Sequence, residues 1–158
     1  MSRQYLNERW CVRCNKKSPT PYLKKNLTLL PKSGKVLDIG CGNGRNSAFM
    51  KKKGYQVTAV DMAVDFGSHI MLGRDPFPKG KYDIILANYV LMFLDEEERK
   101  QVIGEIQDKS KEGTVLVVEL YEAKDAYPCN VSEVTEGLEG WEKLRFAKAG
   151  GKCILRKL

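Results

Sequence analysis

One stretch constrains this chain more than any other: Val36-Leu37-Asp38-Ile39-Gly40-Cys41-Gly42-Asn43-Gly44-Arg45-Asn46. An apolar run suited to a buried strand passes into three alternating glycines and then into a helix-forming segment. Such small residues let the backbone turn tightly and come close to a ligand. The free N–H groups that open the helix then offer donors and the positive end of a dipole. Asp61 ends the next apolar run, Gln56-Val57-Thr58-Ala59-Val60, 17 residues beyond Gly44. A carboxylate at that point can accept both hydroxyls of a ribose.

The remaining chain alternates in the same way. Residues 1–33 read as a leader punctuated by Pro19, Pro21 and Pro31. Within it Tyr22, Leu23, Leu27 and Leu30 recur at helical spacing, and Pro31 ends the helix they predict. A helix is expected over residues 45–53 with Ala48, Phe49 and Met50 inward and Gly54 just past its end. Tyr82 to Ala87 is an apolar run suited to a parallel strand covered on both faces. Asp95 with Glu98 three residues on forms a capping box, and Val102, Ile103 and Ile106 stripe the helix that follows. Gly113 closes that segment before the β-branched strand 114–120. Leu144 and Phe146, the turn Ala149-Gly150-Gly151 and then Cys153-Ile154-Leu155 form a terminal hairpin.

This pattern is α/β: one domain over 1–158, with the leader at 1–33 and a three-layer core at 34–158 around a mainly parallel sheet closed by an antiparallel hairpin. Only eight residues, 62–69, separate Asp61 from a third apolar run, Ile70-Met71-Leu72. A parallel crossover normally takes about a dozen residues or more, so the sheet is expected to be trimmed there.

At 158 residues the chain is long enough to bury a core without disulfides or metal. Its five cysteines are odd in number and scattered, which fits reduced thiols and a cytoplasmic setting. MSRQYLNERW has no apolar signal region, and no apolar run approaches the ~20 residues of a membrane span. Cys11-Val12-Arg13-Cys14 has the spacing of half a zinc site, yet no second pair completes four ligands, so no metal is expected. The net charge of +7 is uneven: residues 1–60 hold 13 basic and 2 acidic side chains, and residues 61–158 hold 14 and 18. A basic half attracts nucleic acid or small anions, but without interleaved aromatics or a known nucleic-acid module it does not favour nucleic acid.

Two cofactor classes use such a glycine turn. A dinucleotide fingerprint wants a small third residue where Arg45 stands. Asp38, two residues before Gly40, suits a ligand with a cationic group better than a pyrophosphate, and so favours S-adenosylmethionine. Residues 36–61 resemble the cofactor-binding region of class I S-adenosylmethionine-dependent methyltransferases. The glycine turn, Tyr82-Asp83-Ile84-Ile85-Leu86, Val90-Leu91-Met92-Phe93-Leu94, Tyr127-Pro128-Cys129 and Glu139-Gly140-Trp141-Glu142 resemble the TehB-type tellurite-resistance methyltransferases, over about residues 34–146.

That resemblance implies a doubly wound, Rossmann-like, seven-stranded sheet and methyl transfer to a small acceptor, with tellurite and selenite oxyanions as family precedents. It implies that Gly40, Cys41, Gly42 and Gly44 lie against the methionine part, which Asp38 orients. Asp61 takes the ribose, Met62 lies beside the adenine, and Asp75 either accepts the adenine amino group or simply starts a turn. Asn88 and Tyr89 follow a strand end where open α/β sheets place ligands. Tyr22, Arg13 and Tyr127 are candidates for closing over the acceptor, and His69, the only histidine, is read as a surface residue. This chain departs from the family in its short crossover and in the acidic, Arg-free stretch 130–140. Methyl transfer to nucleic acid, a non-catalytic cofactor-binding domain and a homodimer that completes the acceptor pocket stand as alternatives.

Overall fold

In the computed structural model, residues 17–62, 68–122, 124, 126–147 and 150–158 are described. Arg13, Cys11, Cys14 and the side chain of His69 lie outside this set. Among the described residues one seven-stranded sheet is built from β1 (Lys35–Ile39), β2 (Gln56–Asp61), β3 (Ser68–His69), β4 (Tyr82–Asn88), β5 (Ser110–Glu119), β6 (Trp141–Phe146) and β7 (Lys152–Lys157). The strand order is β3-β2-β1-β4-β5-β7-β6. Strands β1 to β5 run parallel, and β7 is antiparallel to both its neighbours. The helices are α1 (Pro21–Lys25), α2 (Arg45–Lys52), α3 (Glu96–Asp108) and α4 (Val131–Glu136).

The sheet divides the apolar interior in two. One layer joins Leu23, Leu30, Val36, Met50, Ile84, Leu86, Val115, Val117 and Ile154, beneath the leader and α2. The other joins Leu37, Ile39, Ile85, Leu116, Val118 and Leu155 to the α3 stripe Val102, Ile103 and Ile106. Burial of each such side chain contributes about 2 kcal/mol. The capping box forms as expected: Asp95 accepts from Glu98 N at 2.9 Å, and the Glu98 carboxylate accepts from Asp95 N at 3.0 Å. Among the described residues no helix is long and apolar enough to cross a membrane.

Three local expectations are corrected. Strand β3 covers Ser68–His69 and not residues 70–72, because the chain leaves the sheet directly afterwards. Asp75 draws it into a turn, accepting from Met71 N at 2.6 Å while its own N–H reaches the Met71 carbonyl at 2.8 Å. Leu72 is carried inward by this turn, to 2% exposure. Helix α2 turns Asn46, Ser47 and Met50 inward and leaves Ala48 exposed, since polar partners await the first two. Gly113 does not separate helix from strand: β5 runs through it, bulged against β4 between Tyr82 and Ile84. Trp141 opens β6 after the turn at Gly140, its indole N–H donating to Gln107 Oε1 at 2.9 Å.

Arg99 shows why two separate sequence pieces occur together. Its buried guanidinium donates to the carbonyls of Leu94 and Pro128 and pairs with Glu133 at 3.0 Å. Tyr127 N adds a bond to the Met92 carbonyl at 2.8 Å. One cation therefore ties the turn after β4, the 127–130 loop and α4 into a single body. Replacing Arg99 by Met is expected to cost about 3 kcal/mol, because carbonyls and a carboxylate lose a charged donor. Urea denaturation checks it, and a loss below about 1 kcal/mol would contradict this role.

Candidate active site

The glycine turn is clamped to the end of β2. Gly40 N and Cys41 N both donate to the Val60 carbonyl, at 2.8 and 3.1 Å, and Gly42 N donates to Asp61 Oδ2 at 2.8 Å. Gly40, Gly42 and Gly44 have φ of 67°, 54° and 77°, in the region that side chains avoid. At Gly40 a Cβ would lie 2.3 Å from Val90 Cγ2, so the first residues after β4 press directly on the turn. At Gly42 a Cβ would meet nothing within 4 Å, so the backbone there faces open space. Helix α2 begins at this turn with no side-chain cap from Gly44 and no acid in its first turn, and its dipole is aimed into that space.

Beneath the turn lies Asp38, 2% exposed. It accepts from Ser47 Oγ at 2.6 Å. Burial, reinforced by the charge of Asp61, pushes its pKa up to about 7 against the opposing effect of the Ser47 hydrogen bond. A buried carboxyl in this state is suited to receive a cation. The leader is attached to the same place: Thr20 N donates to Asn46 Oδ1 at 2.9 Å.

Along the carboxyl edge of the sheet, Asn88, Glu119 and Lys152 are register partners across β4, β5 and β7. The Asn88 amide donates to Glu119 Oε2, and Lys152 Nζ stands 3.5 Å from Glu119 Oε1. Burial opposes the Lys152 charge, but Tyr89 and Glu119 outweigh it and hold the pKa above the ordinary lysine value. Tyr89 is the one described non-glycine residue with positive φ, 56°, and its ring packs 5.3 Å from that of Tyr121. Tyr22 on α1 sits under Lys152, whose Nζ is 5.5 Å from its ring centroid, and burial raises the Tyr22 pKa to about 12.

A family model described as "Methyltransferase domain" matches residues 5–156. The chain belongs to the methyltransferase-domain family. It is 28% identical to hemagglutinin 1 of Eikenella corrodens, over 74% of this chain and 47% of that protein. It is 26% identical to the probable S-adenosyl-L-methionine-dependent methyltransferase TehB of Haemophilus influenzae (strain 10810), over 75% of this chain and 49% of that one. The chain thus spans about half the length of these curated relatives. Its fold matches a TehB-like methyltransferase from Corynebacterium glutamicum at 20% identity and a TM-score of 0.73, covering 99% of this chain and 98% of that one.

In this methyltransferase domain, Asp38, Gly40, Cys41, Gly42, Gly44 and Asp61 come together at one turn, with Asn88 and Tyr89 beside it through Val90. Met62 packs against the core next to Asp61. Asp75 spends its carboxylate on closing the turn that precedes it, where it accepts from Met71 N, and so does not start a turn there. Tyr127 is bound through its backbone to Met92 and is 38% exposed. Sequence reasoning missed Ser47, Glu119 and Lys152. An acid closing the apolar run of β5 was the available signal for Glu119; Lys152 gave none among so many surface lysines.

Gly40→Ala is expected to cost about 2–4 kcal/mol, from a left-handed backbone and a core clash together. Adding Val90→Ala recovers only part of the loss in urea titrations, since Val90 Cβ would still lie 2.7 Å away. Between the ordinary carboxyl range and about pH 7, Asp38 keeps a proton in the folded chain that the unfolded chain has released. Its contribution to stability therefore falls as pH rises through that window. Asp38→Asn is expected to flatten this part of the melting-temperature profile without ligand, and an unchanged slope would refute the assignment.

Proposed function

We propose that this domain transfers a methyl group from S-adenosylmethionine to a small-molecule acceptor. The observation that carries the reading is Asp38: a buried carboxyl beneath a glycine turn that is open at Gly42, on the α2 side of the sheet. The residues fit the cofactor. Asp38 receives the ammonium of its methionine part, and Gly40, Cys41, Gly42 and Gly44 supply the close backbone. Asp61, which braces the Gly42 peptide, takes the ribose, and Met62 lies towards the adenine. Asn88 and Tyr89 stand between this turn and the acceptor.

When bound, the cofactor supplies a methyl group on a sulfonium centre whose leaving group is already activated. The protein's share is to align the acceptor with that methyl and exclude competing water, and alignment alone can supply much of the rate. A dedicated acid–base pair is not required. The resemblance to the TehB-type tellurite-resistance methyltransferases brings tellurite and selenite forward as acceptors.

S-adenosylmethionine and S-adenosylhomocysteine are expected to raise the melting temperature by several degrees, as ~2.7 kcal/mol at about 100 times the dissociation constant requires. NAD and NADP should leave it unchanged; a shift with them instead would overturn the reading. Binding at about pH 6 should also release a proton, because an ammonium beside Asp38 lowers its pKa. Calorimetry in two buffers of different ionisation enthalpy reads that release, and Asp38→Asn should abolish it. Tight binding with no turnover on any acceptor would favour a non-catalytic binding domain.

A further inference from the structure

Three polar atoms at the carboxyl edge of the sheet are shielded from solvent and lack a hydrogen-bond partner among the described residues: Tyr22 Oη, Asn88 Oδ1 and Glu119 Oε1. Buried polar atoms are ordinarily paired, because leaving one unpaired forfeits its hydration with nothing in return. Three at one place suggest a ligand's share of the bonding. They belong together: Asn88 and Glu119 are register partners joined through the amide, and Glu119 acts on the Tyr22 phenol across the row. Asn88 stands two residues before Val90, which presses on Gly40, so the group adjoins the cofactor turn. The left-handed backbone of Tyr89 is strain of the kind found at functional sites, and its N–H donates to the Glu119 carbonyl at 2.7 Å.

The chemistry of the three atoms is one-sided. The Asn88 amide oxygen can only accept, and its nitrogen already donates to Glu119 Oε2. Glu119 Oε1 can only accept as well; Lys152 Nζ stands 3.5 Å from it, and the Tyr89 side chain also faces the Glu119 carboxylate. The Tyr22 hydroxyl can give or take. A selenite- or tellurite-type oxyanion brings a negative charge and mostly acceptor oxygens, and these would face a carboxylate and an amide oxygen.

We propose that Tyr22, Asn88 and Glu119 form the methyl-acceptor subsite, and that it takes a small amine or hydroxyl compound carrying N–H or O–H donors in preference to an oxyanion. This rests on the methyl-transfer reading and names the acceptor class within it. The edge is then complete, with each unpaired acceptor matched by a donor of the ligand and Lys152 beside the Glu119 carboxylate.

The test uses the whole chain saturated with S-adenosylhomocysteine, whose own titration reports separately on the cofactor. Saturation-transfer NMR is recorded with catechol and benzylamine as probes and with the donor-free veratrole and benzyl methyl ether as controls. Selenite binding is read by selenium NMR line broadening. At least one donor-bearing probe should bind, with the controls and selenite weaker by about ten-fold, the worth of a good hydrogen bond. Tyr22→Phe and Glu119→Gln should each weaken the bound probe by a similar factor while leaving the homocysteine titration unchanged. Tyr22→Phe removes one hydroxyl from a short leader helix, so it keeps the test open if Glu119→Gln does not fold. Binding of the controls or of selenite as well as the probes overturns the subsite, as does no probe binding or indifference to both substitutions. Failure of S-adenosylhomocysteine to bind would instead bring down the reading on which it rests.

Discussion

The clamp between the glycine turn and the end of β2 carries the rest of the structure. The Val60 carbonyl takes two successive N–H groups, and the Asp61 carboxylate takes that of the next residue. A strand ending in alternating glycines would otherwise have many conformations, each costing entropy to order. Held at three points, the turn delivers α2 over β1 so that Ser47 reaches Asp38, and it leaves Gly42 facing outwards. Binding geometry and local stability here are one arrangement.

Beyond that turn, the sheet separates support from chemistry. The α3 face is almost wholly apolar and is locked by Arg99, whose bonds run to two carbonyls and one carboxylate. The α2 face carries Asp38, Asn88, Glu119 and Lys152 among aliphatic neighbours, all towards the carboxyl ends of β1, β4 and β5. Parallel strands place those ends on one edge, where open α/β sheets bind ligands. Antiparallel β7 contributes the start of its own strand to the same edge, which is how Lys152 reaches Glu119 from far along the chain.

Much of the fold was legible because it rests on local signals. The runs at β1, β2, β4 and β7, the capping box at Asp95 and the stripe on α3 are written within a few residues of each other. The glycine turn was legible for the same reason. What failed was decided at longer range or by weak patterns. Ile70, Met71 and Leu72 look like a strand until Asp75 closes a turn across them. Val131 and Val134 are too few to announce α4 beside its two glutamates, yet both are buried against the core. Ala48 looks more suited to the interior than Ser47, and the order reverses because Asp38 needs a donor.

The sequence by itself determined an α/β chain with a ligand-binding turn after its first strand, since glycine spacing and apolar periodicity act over neighbours. Only the tertiary structure decided which side chains share the site. Asp38 with Ser47, and Asn88 with Glu119 and Lys152, are brought together by strand register and crossover direction. Those depend on how the two apolar layers pack against the sheet, and packing is a property of all strands at once. The ionisation of Asp38 follows from the same cause: a carboxylate becomes a poised acid only when the rest of the chain has closed over it.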